Sequence, residues 1–355
     1  MDNSQRERYV MTKMGFGIVG CGNISAIHAE AIQSISSAEL RAVHSLSLPR
    51  AQELAVKYRA DLEMDFGRFL ARKDIQVVNI CTPSGTHALL GTLAAKAGKH
   101  VIVEKPIDIT LENAKNLIDV CRQANVKLAV IFQSRFLPAI QILKKAIDRG
   151  RLGRLIMGDA YVKWYRSPQY YEAAQWRGTL ALDGGGALIN QSIHTIDLLQ
   201  YLVGPVQSVF GFTERKVHTT IEGEDTGVAL LRFKNGALGV IAGTTSLYPG
   251  FARRLEVHGE KGSVILVGND ITCWKLFEKG TEEEELAQLN ETDQSNSASD
   301  PMAVGVTGHR RQIEDMIAAV LEDRSPMIDG EEGLKALKIV LSVYRSAREK
   351  RIVDL

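Results

Sequence analysis

Gly15-Phe-Gly-Ile-Val-Gly-Cys-Gly-Asn-Ile-Ser25 is a short apolar strand running into a glycine turn, and the turn opens a helical pattern through Ile24, Ile27, His28, Ala31, Ile32 and Ile35. Strand, glycine turn and helix in that order make a dinucleotide-binding start. Gly20 suits the tight turn, and Gly22 lets the backbone approach a pyrophosphate. The free N–H groups of the helix start, at Asn23 and Ile24, and the helix dipole then hold that anion. Ser25 stands where a third glycine or alanine is usual, and it is small enough for close helix packing.

The next strand, Glu39 to His44, ends in His44-Ser-Leu-Ser-Leu-Pro-Arg50, without the acidic residue that normally takes the adenosine ribose hydroxyls of NAD. A carboxylate there would repel the 2′-phosphate of NADP, whereas Ser45, Ser47 and Arg50 are able to hydrogen-bond one. NAD and NADP both stay open. Alternation continues with a helix through Phe66 to Ala71, the strand Gln76 to Thr82, the loop Thr82-Pro-Ser-Gly-Thr-His87 and a helix over 86–97. Thr82, Pro83 and His87 are expected on the nicotinamide side, with a capping threonine beside an exposed histidine as the bland alternative. Then His100-Val-Ile-Val-Glu-Lys-Pro106 ends a β-branched strand at a proline and delivers Glu104 and Lys105 to the crevice beyond the strand ends, where ligands of open parallel sheets sit. Alone, such a tripeptide is more often a solvated strand-to-loop junction; its neighbours here point to a site. A helix over Leu111 to Ala124 and a further strand, Lys127 to Phe132, lead to Gln133-Ser-Arg-Phe136. This regular alternation predicts a doubly wound parallel sheet, a Rossmann domain over 1–136 with 1–13 as a flexible extension.

The rest of the 355 residues changes character. Segments 154–165, 206–218, 224–234, 237–246, 252–258 and 263–267 alternate like strands and meet at turns such as Lys234-Asn-Gly236. Strands without intervening helices predict an α+β domain over 137–355, built on a largely antiparallel open sheet. Its uncovered face and edges suggest a homo-oligomer. The polar stretch 279–306 reads as a flexible excursion, and helices over 307–322 and 331–348 close the chain. Charge is balanced, 43 Lys and Arg against 42 Asp and Glu, so neither nucleic acid nor an anionic membrane is an expected partner. A small molecule is. Cys21, Cys81, Cys121 and Cys273 are too scattered for a metal site and read as thiols of a reducing compartment; with no signal-like start, a cytoplasmic protein is expected.

One stretch of the second half stands out: Asp183-Gly-Gly-Gly-Ala-Leu-Ile-Asn-Gln-Ser-Ile-His-Thr-Ile-Asp197. Asn190, His194 and Asp197 share one face of a helix whose mouth is opened by glycines. A carboxylate one turn from a histidine commonly fixes its tautomer and basicity, so Asp197 is expected to orient His194.

With Gly20-x-Gly22-x-Ile-Ser25, Thr82-Pro-x-x-x-His87, Glu104-Lys105-Pro106 and the run from the three glycines to Asn190, His194 and Asp197 in place, nearly all of the chain after Lys13 resembles the Gfo/Idh/MocA oxidoreductases, which include glucose-fructose oxidoreductase and inositol dehydrogenase. That resemblance implies a nicotinamide cofactor on the first domain, a sugar or cyclitol on the sheet face of the second, and Lys105 and His194 as catalytic residues. It also implies a cis bond before Pro106 and a homodimer or homotetramer joined sheet to sheet. Asn190 departs from the aspartate common in the family; similar asparagine-bearing sequences include dehydrogenases acting at C3 of nucleotide-linked amino sugars.

Moving hydride from a secondary alcohol requires a group to take the hydroxyl proton. Asn190 cannot titrate, which leaves Lys105 or His194, and crowding by His194 and a cationic nicotinamide would depress the lysine pKa toward useful values. Asn190 is then expected to bond a neighbouring hydroxyl. Gln133, Arg135, Trp164, Tyr165, Tyr170, Trp176 and Arg177 are candidate sugar contacts, each equally readable as packing. A lyase or epimerase that retains its NAD, and a non-catalytic cofactor sensor, are the rival readings; the sensor is disfavoured by the presence of both Lys105 and His194.

Overall fold

The computed structural model describes residues 13–287 and 305–355. The first sheet contains β1 (Met14–Val19), β2 (Ala38–His44), β3 (Asp61–Leu62), β4 (Val77–Ile80), β5 (His100–Val103) and β6 (Leu128–Val130), all parallel, in the order β3-β2-β1-β4-β5-β6. The strand order reverses between β1 and β4, so the crevice above their carboxyl ends is the ligand site this topology provides. Val77, Val78, Ile80, Val101, Ile102 and Val103 are fully buried, as strands covered by helices on both faces require.

The second sheet has β7 (Leu155–Lys163), β8 (Val206–Glu214), β9 (Thr226–Phe233), β10 (Leu238–Thr244), β11 (Arg254–Gly259), β12 (Gly262–Val267), β13 (Asp270–Leu276) and β14 (Val353–Asp354), in the order β13-β12-β11-β7-β10-β9-β8-β14. Every neighbouring pair is antiparallel except β7 with β10, so the sheet is largely antiparallel. The helices Ile193–Val203 and Gly330–Glu349 cover one face, burying Ile196, Leu199, Leu337, Val340 and Val343. The other face carries exposed Phe212, Val228, Leu230 and Leu238.

Three strands, β3, β13 and β14, are absent from the sequence reading; all three lie at a sheet edge, β3 and β14 with two residues each and β13 with no buried side chain, so they have little alternation to detect. The stretch read as an excursion begins instead with a helix, Thr281–Ala287, whose Glu282 and Glu285 pair with Arg149 and Lys145. The remainder of that excursion and the N-terminal extension lie outside the described residues. The chain does not stay in its second half: helix Val306–Leu321 packs on the first helix, Asn23–Gln33, placing Ile313, Met316 and Ile317 in one core with Ala29 and Ile32. That return brings C-terminal residues to the floor of the crevice.

Candidate active site

A single cleft of about 1110 Å³ runs from the glycine turn, past Lys105, to the aromatic wall of the second sheet. At one end Gly20 takes φ +93, and a Cβ there would sit 2.7 Å from the Cys81 carbonyl oxygen. A Cβ on Gly22 would meet nothing within 4 Å, leaving open space over the helix start for a pyrophosphate. Asn23, Ile24, Ser45, Ser47 and Arg50 line this end, and Thr82 and Pro83 follow toward the middle. The residues present therefore fit a dinucleotide.

Lys105 stands at the centre. Its Nζ donates to the Asn190 carbonyl oxygen at 2.8 Å, joining the end of β5 to the second domain. Burial lowers its pKa below the usual lysine value, while the Glu104 and Asp183 carboxylates pull it back and Arg166 pushes it down further. His194 faces the same region with its ring edge-on to Phe132 at 5.7 Å between centroids, and its Nδ1 is buried without a hydrogen-bond partner. Burial first, then the Lys105 charge, holds the His194 pKa well below that of a free imidazole, so the ring is neutral at pH 7.

The backbone carrying Asn190 and His194 is a π-helical turn, Ala187–Ser192, continuing into the helix Ile193–Val203. Its free N–H groups are satisfied by the buried Glu224 carboxylate, which accepts from Gly186 at 3.0 Å and Leu188 at 2.7 Å and from the Tyr344 hydroxyl at 2.9 Å. The far wall of the cleft holds Trp164, Tyr170, Trp176, Arg166, Arg177 and Arg253. Arg166 lies over Trp164 with its guanidinium carbon 4.9 Å from the ring centroid and donates to Gln191 Oε1 at 2.8 Å. Arg177 stacks 4.1 Å above Tyr170, and Arg253, whose pKa burial lowers to about 10, donates to Ser134 and Asn269.

Residues 14–132 match the NAD-binding Rossmann fold of the Gfo/Idh/MocA oxidoreductase family, and residues 144–355 match that family's C-terminal alpha/beta domain. The chain belongs to this family. Myo-inositol 2-dehydrogenase of Thermotoga maritima is 28% identical, over 96% of this chain and 98% of that protein. Among solved structures, the WlbA dehydrogenase of Bordetella pertussis in complex with NADH and UDP-GlcNAcA is 36% identical with a TM-score of 0.89, covering 97% of this chain and 98% of that one. The Chromobacterium violaceum WlbA dehydrogenase, also with NADH and UDP-GlcNAcA, is 33% identical at a TM-score of 0.87, covering 97% and 96%.

Several residues expected in this Gfo/Idh/MocA site take other work. Asp197 does not orient His194: its two carboxylate oxygens accept from Arg135 at 2.6 and 2.8 Å. Arg135 in turn is only 1% exposed and pairs with Glu332 at 2.9 Å, so it is an ion-paired staple between domains and not a sugar contact. Tyr165 is not among the lining residues; its ring packs edge-on against Tyr248. Asn190 borders the cleft, but its amide is committed on both ends, to Asp183 Oδ1 and from Gln191 Nε2, each at 2.5 Å, so only its carbonyl serves Lys105. His87 sits at the cleft edge with its ring nitrogens against the carbonyls of Thr82 and Pro106 at 2.8 and 2.7 Å, clamping the ends of β4 and β5 together. Glu104 is buried beneath the cleft, bonded to His28 Nε2 at 2.9 Å. The peptide before Pro106 is cis. Gln133, Trp164, Trp176 and Arg177 do line the cleft, and Gln133 Oε1, Trp164 Nε1 and Arg177 Nε are buried without partners. Arg166, Gln191, Arg253 and His309 also line it without having been singled out, because no local motif marks them.

Proposed function

We propose that this oxidoreductase is an NAD-dependent dehydrogenase that oxidises a secondary hydroxyl of an anionic, nucleotide-linked sugar, with UDP-GlcNAcA as the first substrate to try. The observation that carries the proposal is the charge of the cleft wall. Lys105, Arg166, Arg177 and Arg253 converge there beside Trp164, Tyr170 and Trp176, while Glu104 is the carboxylate among the described lining residues. Glu104, bonded to His28 Nε2 at 2.9 Å, stays ionised despite burial because His28 and His309 hold its pKa well below the usual carboxylate range, and it sets one negative charge against those four cations. Cations in excess of a dinucleotide's needs suit a substrate bearing diphosphate and carboxylate groups, and planar aromatic and guanidinium faces suit sugar rings and bases.

When bound, the nicotinamide supplies the hydride acceptor. Lys105, anchored by the Asn190 carbonyl, presents its ammonium to the substrate oxygen as donor. His194, neutral and lining the cleft, takes the hydroxyl proton. The missing acidic residue after β2 leaves Ser45 and Ser47 at the adenosine end, and the NADH-bound relatives favour NAD over NADP there. Free thiols at all four cysteines fit a cytoplasmic location, and no described helix is long and apolar enough to cross a membrane.

Absorbance of NADH at steady state tests the reaction. With NAD, UDP-GlcNAcA is expected to turn over with one NADH released per product, and neutral free sugars and cyclitols with kcat/KM lower by roughly 10²-fold or more, the size expected when buried polar groups lose their partners. Faster turnover of inositol or a neutral glucoside would overturn the anionic assignment. Product formed with no net NADH would instead establish the retained-cofactor lyase or epimerase.

We further propose that the uncovered sheet face joins copies of this chain. Phe212 and Val228 are cross-strand neighbours, and Leu230 pairs with Phe210 on one side and Val240 on the other, so these apolar side chains form one contiguous patch. Sedimentation at micromolar concentration is expected to give two or four times the monomer mass, and Leu230→Glu to shift it down. A wild-type species at monomer mass would refute this.

A further inference from the structure

His309 enters the cleft from the far end of the chain. It lies in the first turn of helix Val306–Leu321, which packs on the helix that follows the glycine turn, and it borders the cleft together with Gly305 and Gly308. Its side chain is fully buried, yet neither ring nitrogen has a hydrogen bond. Two orphaned polar atoms in a buried ring are costly unless a partner arrives.

The surroundings say which of the two buried nitrogens is left without a neighbour of its own. Nε2 faces Glu104 Oε1 at 3.6 Å, beyond hydrogen-bond reach but close enough to place a ring proton on that side. Glu104 is already engaged by His28 Nε2, whose own Nδ1 is met by Asn79 Nδ2 at 2.8 Å, so the buried His28, Glu104 and Asn79 form a closed set. A metal held by His28, Glu104 and His309 would have to break that bond from His28. Nδ1 of His309 is therefore the acceptor left over. His309 packs edge-on to His28, which is on the helix rooted at Gly22, and it is beside Glu104, the residue before Lys105. It thus occupies the span between the pyrophosphate turn and the catalytic lysine, where a dinucleotide has its second ribose.

We propose that His309 is a cofactor-contact residue whose Nδ1 accepts a hydrogen bond from a hydroxyl of the nicotinamide ribose, so that the C-terminal part of the chain completes the NAD site. The inference rests on the NAD reading above, and wild-type binding of NADH is the control that separates the two.

Binding of NADH, ADP-ribose and ADP is measured for the wild type, His309→Leu and His309→Asn by fluorescence or calorimetric titration, with the melting temperature of each free protein. His309→Leu is expected to weaken NADH and ADP-ribose, which carry the second ribose, by roughly 5- to 30-fold, the size of one lost hydrogen bond, and to leave ADP unchanged. Its melting temperature is expected to hold or rise, because an apolar side chain replaces two unpartnered nitrogens. His309→Asn, which retains an acceptor near the Nδ1 position, is expected to lose less affinity. Unchanged NADH affinity in His309→Leu would refute the proposal. So would an equal loss for ADP, which would assign His309 to the pyrophosphate, or a lowered melting temperature with zinc present in the wild type and absent from His309→Leu.

Discussion

Lys105→Ala is expected to lower turnover by about 10²- to 10⁴-fold while NADH affinity changes little, because in the proposed mechanism the lysine acts on the substrate oxygen in the transition state and the adenosine end of the site is remote from it. His194→Ala is expected to do the same. The structure puts the two groups in one electrostatic unit: the Lys105 charge is one of the causes, after burial, that keep His194 neutral, and the lysine itself is depressed by burial. Residues that handle one proton together are strongly non-additive, so the double variant should be little worse than the poorer single one. The sign of the pH dependence follows. Because both pKa values are lowered, His194 remains an acceptor well into the acid range, and Lys105 loses its proton below the normal lysine range, so the alkaline limb of kcat should fall earlier than a free lysine would give. A four-member cycle of kcat, measured against pH with NADH affinity alongside, is the check. Either single variant with near wild-type turnover removes that residue from the chemistry, and fully additive losses place the two in separate steps.

Asp197→Ala is expected to cost about 3–5 kcal/mol of stability, the usual consequence of breaking a buried ion pair by removing one partner. Burial alone would lower the Arg135 pKa, but Asp197 and Glu332 outweigh it and raise it, so the guanidinium stays charged and would be left with Glu332 alone. Urea unfolding of the wild type, Asp197→Ala and the double variant Arg135→Met/Asp197→Leu measures this, the double variant recovering much of the loss because no buried charge remains unpaired. The same variants separate the two roles considered for Asp197. A staple leaves the pH profile of kcat in place for the folded protein, whereas an orienting partner of His194 would move it. A stability loss under about 1 kcal/mol together with a displaced pH profile would restore the orienting role.

The helical spacing that placed Asp197 beside His194 was sound as geometry, since residues three apart do share a face. It failed because a helix face is wide enough to serve two neighbours. One edge meets the cleft and the other meets the turn Gln133–Phe136, where a buried guanidinium takes the nearest carboxylate. Arg135 takes the packing alternative for the matching reason. A planar donor next to the end of a parallel strand looks like a ligand contact until a partner from 62 residues away closes on it.

What the sequence determined by itself was everything carried by short-range pattern: the glycine turn between strand and helix, five of the six parallel strands, the delivery of Lys105 to a strand end, and the placement of Asn190 and His194 on one helical turn. These depend on steric and periodic rules that act within about 20 residues, so they can be read without knowing what packs against them. Only the tertiary structure decided which polar side chains face the cleft and which are consumed by one another. Arg253 from β11's approach, Arg166 beyond β7, Glu224 beneath the π-turn and His309 from the penultimate helix reach the site through contacts between remote segments. A buried polar group pairs with whatever partner the fold brings within about 3 Å, and that choice is set by packing, not by spacing along the chain.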